Sequence, residues 1–318
     1  MKIDVHADDY ALTVNTSKDM IECMLAGKLD SISIVSNTGC FTDCMDMLYE
    51  AIPSMPYIPL MSVHIDLVEG MSLTTDLDEI SIYRKADGKT LLNLTWGKLF
   101  ALSYLIGRKN RIYKCIEDEI AAQIKRCDEV IKRCIEIAKE SGVSCSQRAL
   151  RIDSHQHAHH IPIVWKAIMS VLEREDIHPE YIRNSKEPLA VFLSEKSLLR
   201  TYRPVNIVKN RILSLYSHKI DRYCEKNNIE KMYLWGLIMS GRMDAERVQR
   251  LFGKVSGKAA RDGRTLEILF HPGLMLPEEA GCETAKDAAD DFYLSNDRHV
   301  EKDAVMNVVF TDPKEEQS

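Results

Sequence analysis

Apolar and polar positions change period repeatedly along the chain. Ile3 and Val5 alternate with polar neighbours, which predicts a short buried strand ending at Ala7-Asp8-Asp9. Thr13 or Asn15 can cap a helix through Leu25 that Gly27 stops. Ser31-Ile32-Ser33-Ile34-Val35 returns to period two, Asp43 to Ile52 is helical up to Pro53, and Met61 to Leu67 alternates again as a third strand. Residues 70 to 110 lack a clean period and are expected to form an insertion with short helices. From Cys115 to Gly142, Ile116, Ile120, Ile124, Ile131, Ile135 and Ala138 recur every three or four positions as one face of a long helix. Beyond it the pattern predicts strands at Ala149–Asp153, Tyr181–Arg183, Met232–Leu237 and Leu266–Phe270. Helices are expected at Pro162–Glu175, Asp244–Phe252 and most of Leu189–Asn227, with a break at Pro204.

Strands alternating with helices imply parallel pairing through right-handed crossovers. About seven strands come near the number of a closed β/α barrel, so a distorted, TIM-barrel-like α/β fold is expected. An open doubly wound sheet accepts the same pattern. No linker divides the chain, so one catalytic domain over 1–318 is expected, with an insertion at about 70–112 and a tail at about 304–318.

Composition narrows the function. The 318 residues carry 42 Lys and Arg against 48 Asp and Glu, a net charge of −6 that disfavours a nucleic-acid partner. Nine Cys without a C-x-x-C pair suit reduced thiols, and neither a secretory signal nor a membrane-spanning run is visible. A cytoplasmic protein with a small-molecule substrate and no membrane partner is expected; a homodimer stays open.

Four segments set His or Asp near the ends of predicted strands: His6-Ala7-Asp8-Asp9, His64-Ile65-Asp66, Asp153 through His160, and His271-Pro272-Gly273. In an extended stretch His155, His157 and His159 would share one face, while Asp8 and Asp9 would point to opposite faces. Asp9, His64 and one His of the cluster make a two-imidazole, one-carboxylate set of the kind that holds a catalytic metal, and Asp153 can orient a ligating ring. Each segment alone has an ordinary reading, as a turn, a core His or a solvated loop. Their conjunction at strand ends favours a site.

These residues resemble the YdjC-like carbohydrate deacetylases, which include the chitooligosaccharide deacetylases. The family's Asn-Ala-Asp-Asp-Phe-Gly-Leu-Ser is similar to His6 through Thr13, and its Gly-Leu-His-Leu-x-Leu-Thr-x-Gly to Ser62 through Gly70. Its Asp-Ser-His-x-His-x-His followed by Pro matches Asp153 to His159 with Pro162, and its His-Pro-Gly matches His271 to Gly273. Here His6 stands for the usual Asn and Ala11 for the usual Gly.

The resemblance implies hydrolysis of the N-acetyl group of an amino sugar or chitooligosaccharide. It implies Asp9, His64 and His155 around one divalent cation, with Asp8 as the base that takes the water's proton. The family points to Mg2+, whereas imidazole ligands suit Zn2+. His271 is the candidate general acid. His157 and His159 are expected behind the ligands or toward the sugar, His6 beside Asp8, and Arg183 on a sugar hydroxyl or on the surface. Two other readings stand: a metal-dependent phosphoesterase, and a sugar-binding protein without turnover on the same scaffold.

Overall fold

The computed structural model describes residues 2–74, 82–86, 88–279, 293–295 and 297–310. Seven parallel strands form one curled sheet: β1 (Ile3–Tyr10), β2 (Ser31–Ile34), β3 (Leu60–Ile65), β6 (Arg151–Ser154), β7 (Tyr181–Ile182), β8 (Met232–Trp235) and β9 (Thr265–Phe270). Their order, β7-β6-β3-β2-β1-β9-β8, is a half-barrel with an opening between β7 and β8. Two contacts span that opening: Leu234 N donates to the Lys186 carbonyl, and the buried Glu187 carboxylate accepts from Gly236 N and Ile238 N.

The pleat explains which residues face inward. On β1 the inward positions are Asp4, His6 and Asp8, while Val5 and Ala7 join the apolar core beneath the helices. Ser31 and Ser33 of β2 take the same face: Ser31 Oγ donates to Asp4, and Ser33 Oγ to Asp153. Arg151, Arg183 and Glu267 complete an ionic interior whose charges are paired, as buried charges must be. Ile32, Ile34, Val63, Ile152 and Ile268 face the helix layer.

Among the described residues the helices are α1 (Val14–Leu25), α2 (Phe41–Ala51), α3 (Trp96–Leu105), α4 (Arg111–Glu140), α5 (Pro162–Arg174), α6 (Leu189–Ser194), α7 (Pro204–Lys226), α8 (Ala245–Arg261) and α9 (Asp297–Asn307). Thr13 caps α1 in a reciprocal box with Thr16, Asn110 caps α4, and Pro162 and Pro204 open α5 and α7 where a missing N–H costs nothing. The insertion holds α3 and also a two-stranded antiparallel hairpin, β4 (Tyr83–Ala86) and β5 (Lys89–Leu92). Its short strands gave too little alternation to read from sequence. Residues 75–81 of the insertion, most of the acidic stretch 278–291, and residues 311–318 of the expected tail lie outside the described residues. The tail's residues 304–307 belong to α9, with Ala304 and Val305 buried.

Gly236 ends β8 at φ +149°, where a Cβ would lie 2.5 Å from the Leu269 carbonyl oxygen. Only glycine lets β8 and β9 close this tightly at the cavity floor.

Candidate active site

The end of β1 leaves regular extension. Asp9 has φ +71° and Ala11 φ +67°, and the register against β2 shifts between Ala7 and Tyr10. This turn corrects the expectation that Asp8 and Asp9 face apart. Asp8 Oδ1 lies 3.9 Å from His64 Nδ1, and Asp9 Oδ1 lies 3.5 Å from His64 Nε2. It also accounts for the family's glycine at position 11, since an Ala there accepts a left-handed backbone at a cost of about 1–2 kcal/mol.

Asp9 Oδ1 is 3.1 Å from His155 Nδ1, and Asp9, His64 and His155 each offer a ligand atom within 4.8 Å of the others. Donors bound about 2.0–2.2 Å from one ion stand roughly 3–3.5 Å apart, and the two separations from Asp9, 3.1 Å to His155 and 3.5 Å to His64, fall in that range, so the set could hold a divalent cation. The remaining ring nitrogens face carboxylates. His64 Nδ1 is 2.6 Å from Asp153 Oδ1, and His155 Nε2 is 3.1 Å from Glu69 Oε1. Tyr293 donates to the same Glu69 oxygen at 2.5 Å, and Arg298 holds the second oxygen of Asp9 at 2.5 Å. A second group, His6, Asp8 and Asp153, is equally close, but Ser31 Oγ and Ser33 Oγ occupy both nitrogens of His6.

Charge balance points the same way. Burial disfavours a proton on His64, yet Asp8, Asp153 and Asp9 outweigh it and raise its pKa to about 9. His155 is likewise raised, with Asp66, Asp9 and Glu69 overcoming burial. A cation bound here would displace those protons and answer the same carboxylates.

Asp8 is gripped from behind. Arg183 Nη1 and Nη2 each lie 2.8 Å from one of its oxygens, and His6 Nε2 lies 3.1 Å from Oδ1. Burial would raise the Asp8 carboxyl, but Arg183, His64 and His6 together hold it well below the usual carboxylate range. Arg183 is fully buried and also pairs with Asp153 and Glu267. It is therefore neither a surface residue nor one directed at a sugar hydroxyl.

The His cluster differs from an extended run. Residues 155–160 form tight turns, with Gln156 at φ +51° and His157 at φ +61°. His155 turns to Asp9, while His157 and Gln156 both line the cavity. His159 is buried away from it, with Nδ1 on Ser154 Oγ at 2.6 Å and Nε2 on the Arg183 carbonyl at 2.9 Å. Two left-handed residues in succession break the alternation on which a shared face was predicted.

The cavity, about 360 Å3, is lined by Asp8, Asp9, His64 and His155 together with Asn206, Lys209, Leu237 and His271. His271 follows β9; its backbone N donates to Glu301 Oε2 at 2.6 Å, and its Nδ1 lies 3.5 Å from the same oxygen. Glu301 and Arg298 come from α9, and neither they, Glu69 nor Tyr293 were singled out from sequence. Glu69 stood beside the second motif and could have been suspected from the need of ligating His for a carboxylate. Nothing local marks the other three.

An α/β half-barrel with carboxylates and imidazoles gathered at the carboxyl ends of its strands defines a protein with a strand-end polar site. The chain belongs to the YdjC-like protein family, whose model matches residues 2–135 and 147–312. It is similar to a carbohydrate deacetylase of Danio rerio, 24% identical over 321 residues covering 94% of this chain and 89% of the relative. A carbohydrate deacetylase of Xenopus laevis is 20% identical over 308 residues, again with 94% and 89% covered. Among solved structures, a putative cellobiose-phosphate cleavage protein from Enterococcus faecalis V583 superposes with TM-score 0.56 at 15% identity, over 96% of this chain and 90% of that one. That likeness is one of fold.

Proposed function

We propose that the protein hydrolyses the N-acetyl group of an N-acetylated amino sugar, releasing acetate and a free amine, with a divalent cation held by Asp9, His64 and His155. When bound, such a cation polarises the acetyl carbonyl and acidifies water. The observation that carries the reading is the pairing of this three-donor set with a separate carboxylate, Asp8, that Arg183 keeps ionised.

Asp8 accepts the proton of the attacking water. As the tetrahedral carbon collapses, the C–N bond breaks and the nitrogen needs a proton to leave as an amine. His271, which lines the same cavity, supplies it, with Glu301 fixing its loop. Asp153 and Glu69 hold the rings of His64 and His155 in the tautomers that turn a bare nitrogen toward Asp9. Asn206 and Lys209 line the same cavity, where they would meet sugar hydroxyls. Similarity to two carbohydrate deacetylases supports the substrate class.

The test is acetate release from N-acetylglucosamine, chitobiose and longer chitooligosaccharides, after chelation and again after adding back Mg2+ or Zn2+. Equimolar acetate and amine, lost on chelation and restored by one of the metals, is the expected result. Sugar binding without acetate, or release of phosphate from model esters instead, would replace the proposal with one of the two other readings.

A further inference from the structure

The net charge of −6 conceals a strong segregation. Residues 96–116 contain five Lys and Arg and no acidic residue; residues 196–220 contain six and none. With these eleven set aside, the chain keeps 31 basic residues against 48 acidic. The fold brings the two segments together. Tyr104 Oη of α3 lies 3.0 Å from Tyr216 Oη of α7, the Phe100 and Tyr216 rings are 5.7 Å apart, and Lys209 Nζ sits 5.4 Å from the Trp96 ring centre.

The same two helices carry half of the large exposed apolar residues among those described. Leu105 is 78% exposed, Leu215 74%, Tyr104 73%, Val205 60% and Val208 57%. Around them stand Lys98, Arg108, Lys109, Arg111 and Arg211, and among the described residues none of these five pairs with a carboxylate. Leucines left in water beside unpaired cations are costly unless something covers them. Val205 and Lys209 also line the active-site cavity, so whatever covers this face meets the cavity mouth.

We propose that the α3–α7 face docks on an anionic lipid surface, with Leu105, Tyr104 and Leu215 entering the headgroup layer and the ring of Lys and Arg facing lipid phosphates. Charge complementarity selects this occupant. A two-fold contact with a second copy would set this cationic face against itself. A soluble polyanion would answer the cations but leave the leucines in water. A lipid surface answers both, each Lys or Arg near it contributing about 1 kcal/mol. No described helix is long and apolar enough to cross a membrane, so the contact is peripheral. The expectation of no membrane partner rested on the lack of a membrane-spanning apolar run, a criterion that a peripheral contact does not have to meet.

Vesicle sedimentation tests the proposal without substrate, so its outcome is independent of the deacetylase reading. The full-length protein is mixed at low salt with vesicles of phosphatidylcholine alone or of phosphatidylcholine with phosphatidylglycerol. Binding to the anionic vesicles should exceed binding to the neutral ones by about tenfold or more and should fall on adding salt. The pair Leu105→Ser and Leu215→Ser, and separately the pair Arg108→Ala and Arg211→Ala, should each lower it about tenfold with unchanged thermal melting. Equal sedimentation with both vesicles, or with neither, would overturn the proposal. So would heparin binding as tight as vesicle binding and indifferent to the leucine pair, which would make the partner a soluble polyanion. Concentration-dependent dimers in ultracentrifugation, lost with the leucine pair and without vesicle binding, would overturn it in favour of self-association.

Discussion

Asp8 and Asp9 are neighbours in the chain with different company. Arg183 and His6 hold Asp8, while Asp9 faces His64, His155 and Arg298. Sequence supplied the pair but not its geometry, because the left-handed turn at Asp9 is fixed by the bulge between β1 and β2 rather than by residue type. The carboxylate behind each ring matters as much as the ring. Asp153→Asn should weaken metal affinity about 10–100-fold, measured by competition with a chelator, because the amide no longer fixes the His64 tautomer. His271→Ala should depress turnover on an N-acetyl sugar far more than on an aryl acetate, whose leaving group needs little protonation. Equal losses on both substrates would remove His271 from the acid role.

Among the elements, the long amphipathic helix α4, the first three strands and the Pro-headed helices were legible because period and capping residues act locally. The hairpin β4–β5 was not, and α9 contributes Arg298 through a contact with Asp9 nearly the length of the chain away and Glu301 through one with His271, 30 residues before it. Such contacts leave no mark in a local pattern. The opening between β7 and β8 offers a stability test. Burial pushes the Glu187 carboxyl up to about 7 against its backbone hydrogen bonds, whereas in the unfolded chain it titrates near 4.5. The folded protein therefore holds this proton longer. The stability tied to it is full below pH 4.5 and is lost as pH rises to about 7. Glu187→Gln, which cannot ionise although its NH2 loses one of the two backbone bonds at every pH, should gain on the natural protein over that window by about 3 kcal/mol in urea unfolding. A difference between the two that does not vary with pH would show that Glu187 is ionised throughout.

On the scale of the whole molecule, the half-barrel follows from alternating strands and helices, and the family from four motifs in order. The ionic interior was less legible. Asp4, His6, Arg151 and Glu267 look like scattered polar residues until the sheet curls and sets their alternate positions face to face. That interior lets two adjacent carboxylates hold different roles at one cavity, one toward a cation and one toward a proton. Metal content by mass spectrometry, on Asp8→Asn and Asp9→Asn purified alongside the natural protein, separates the two. Asp8→Asn should keep about one divalent ion per chain while acetate release falls about 10²–10⁴-fold, and Asp9→Asn should lose the ion. An Asp8→Asn protein without metal, or an Asp9→Asn protein that retains it in full, would contradict the division of labour between them.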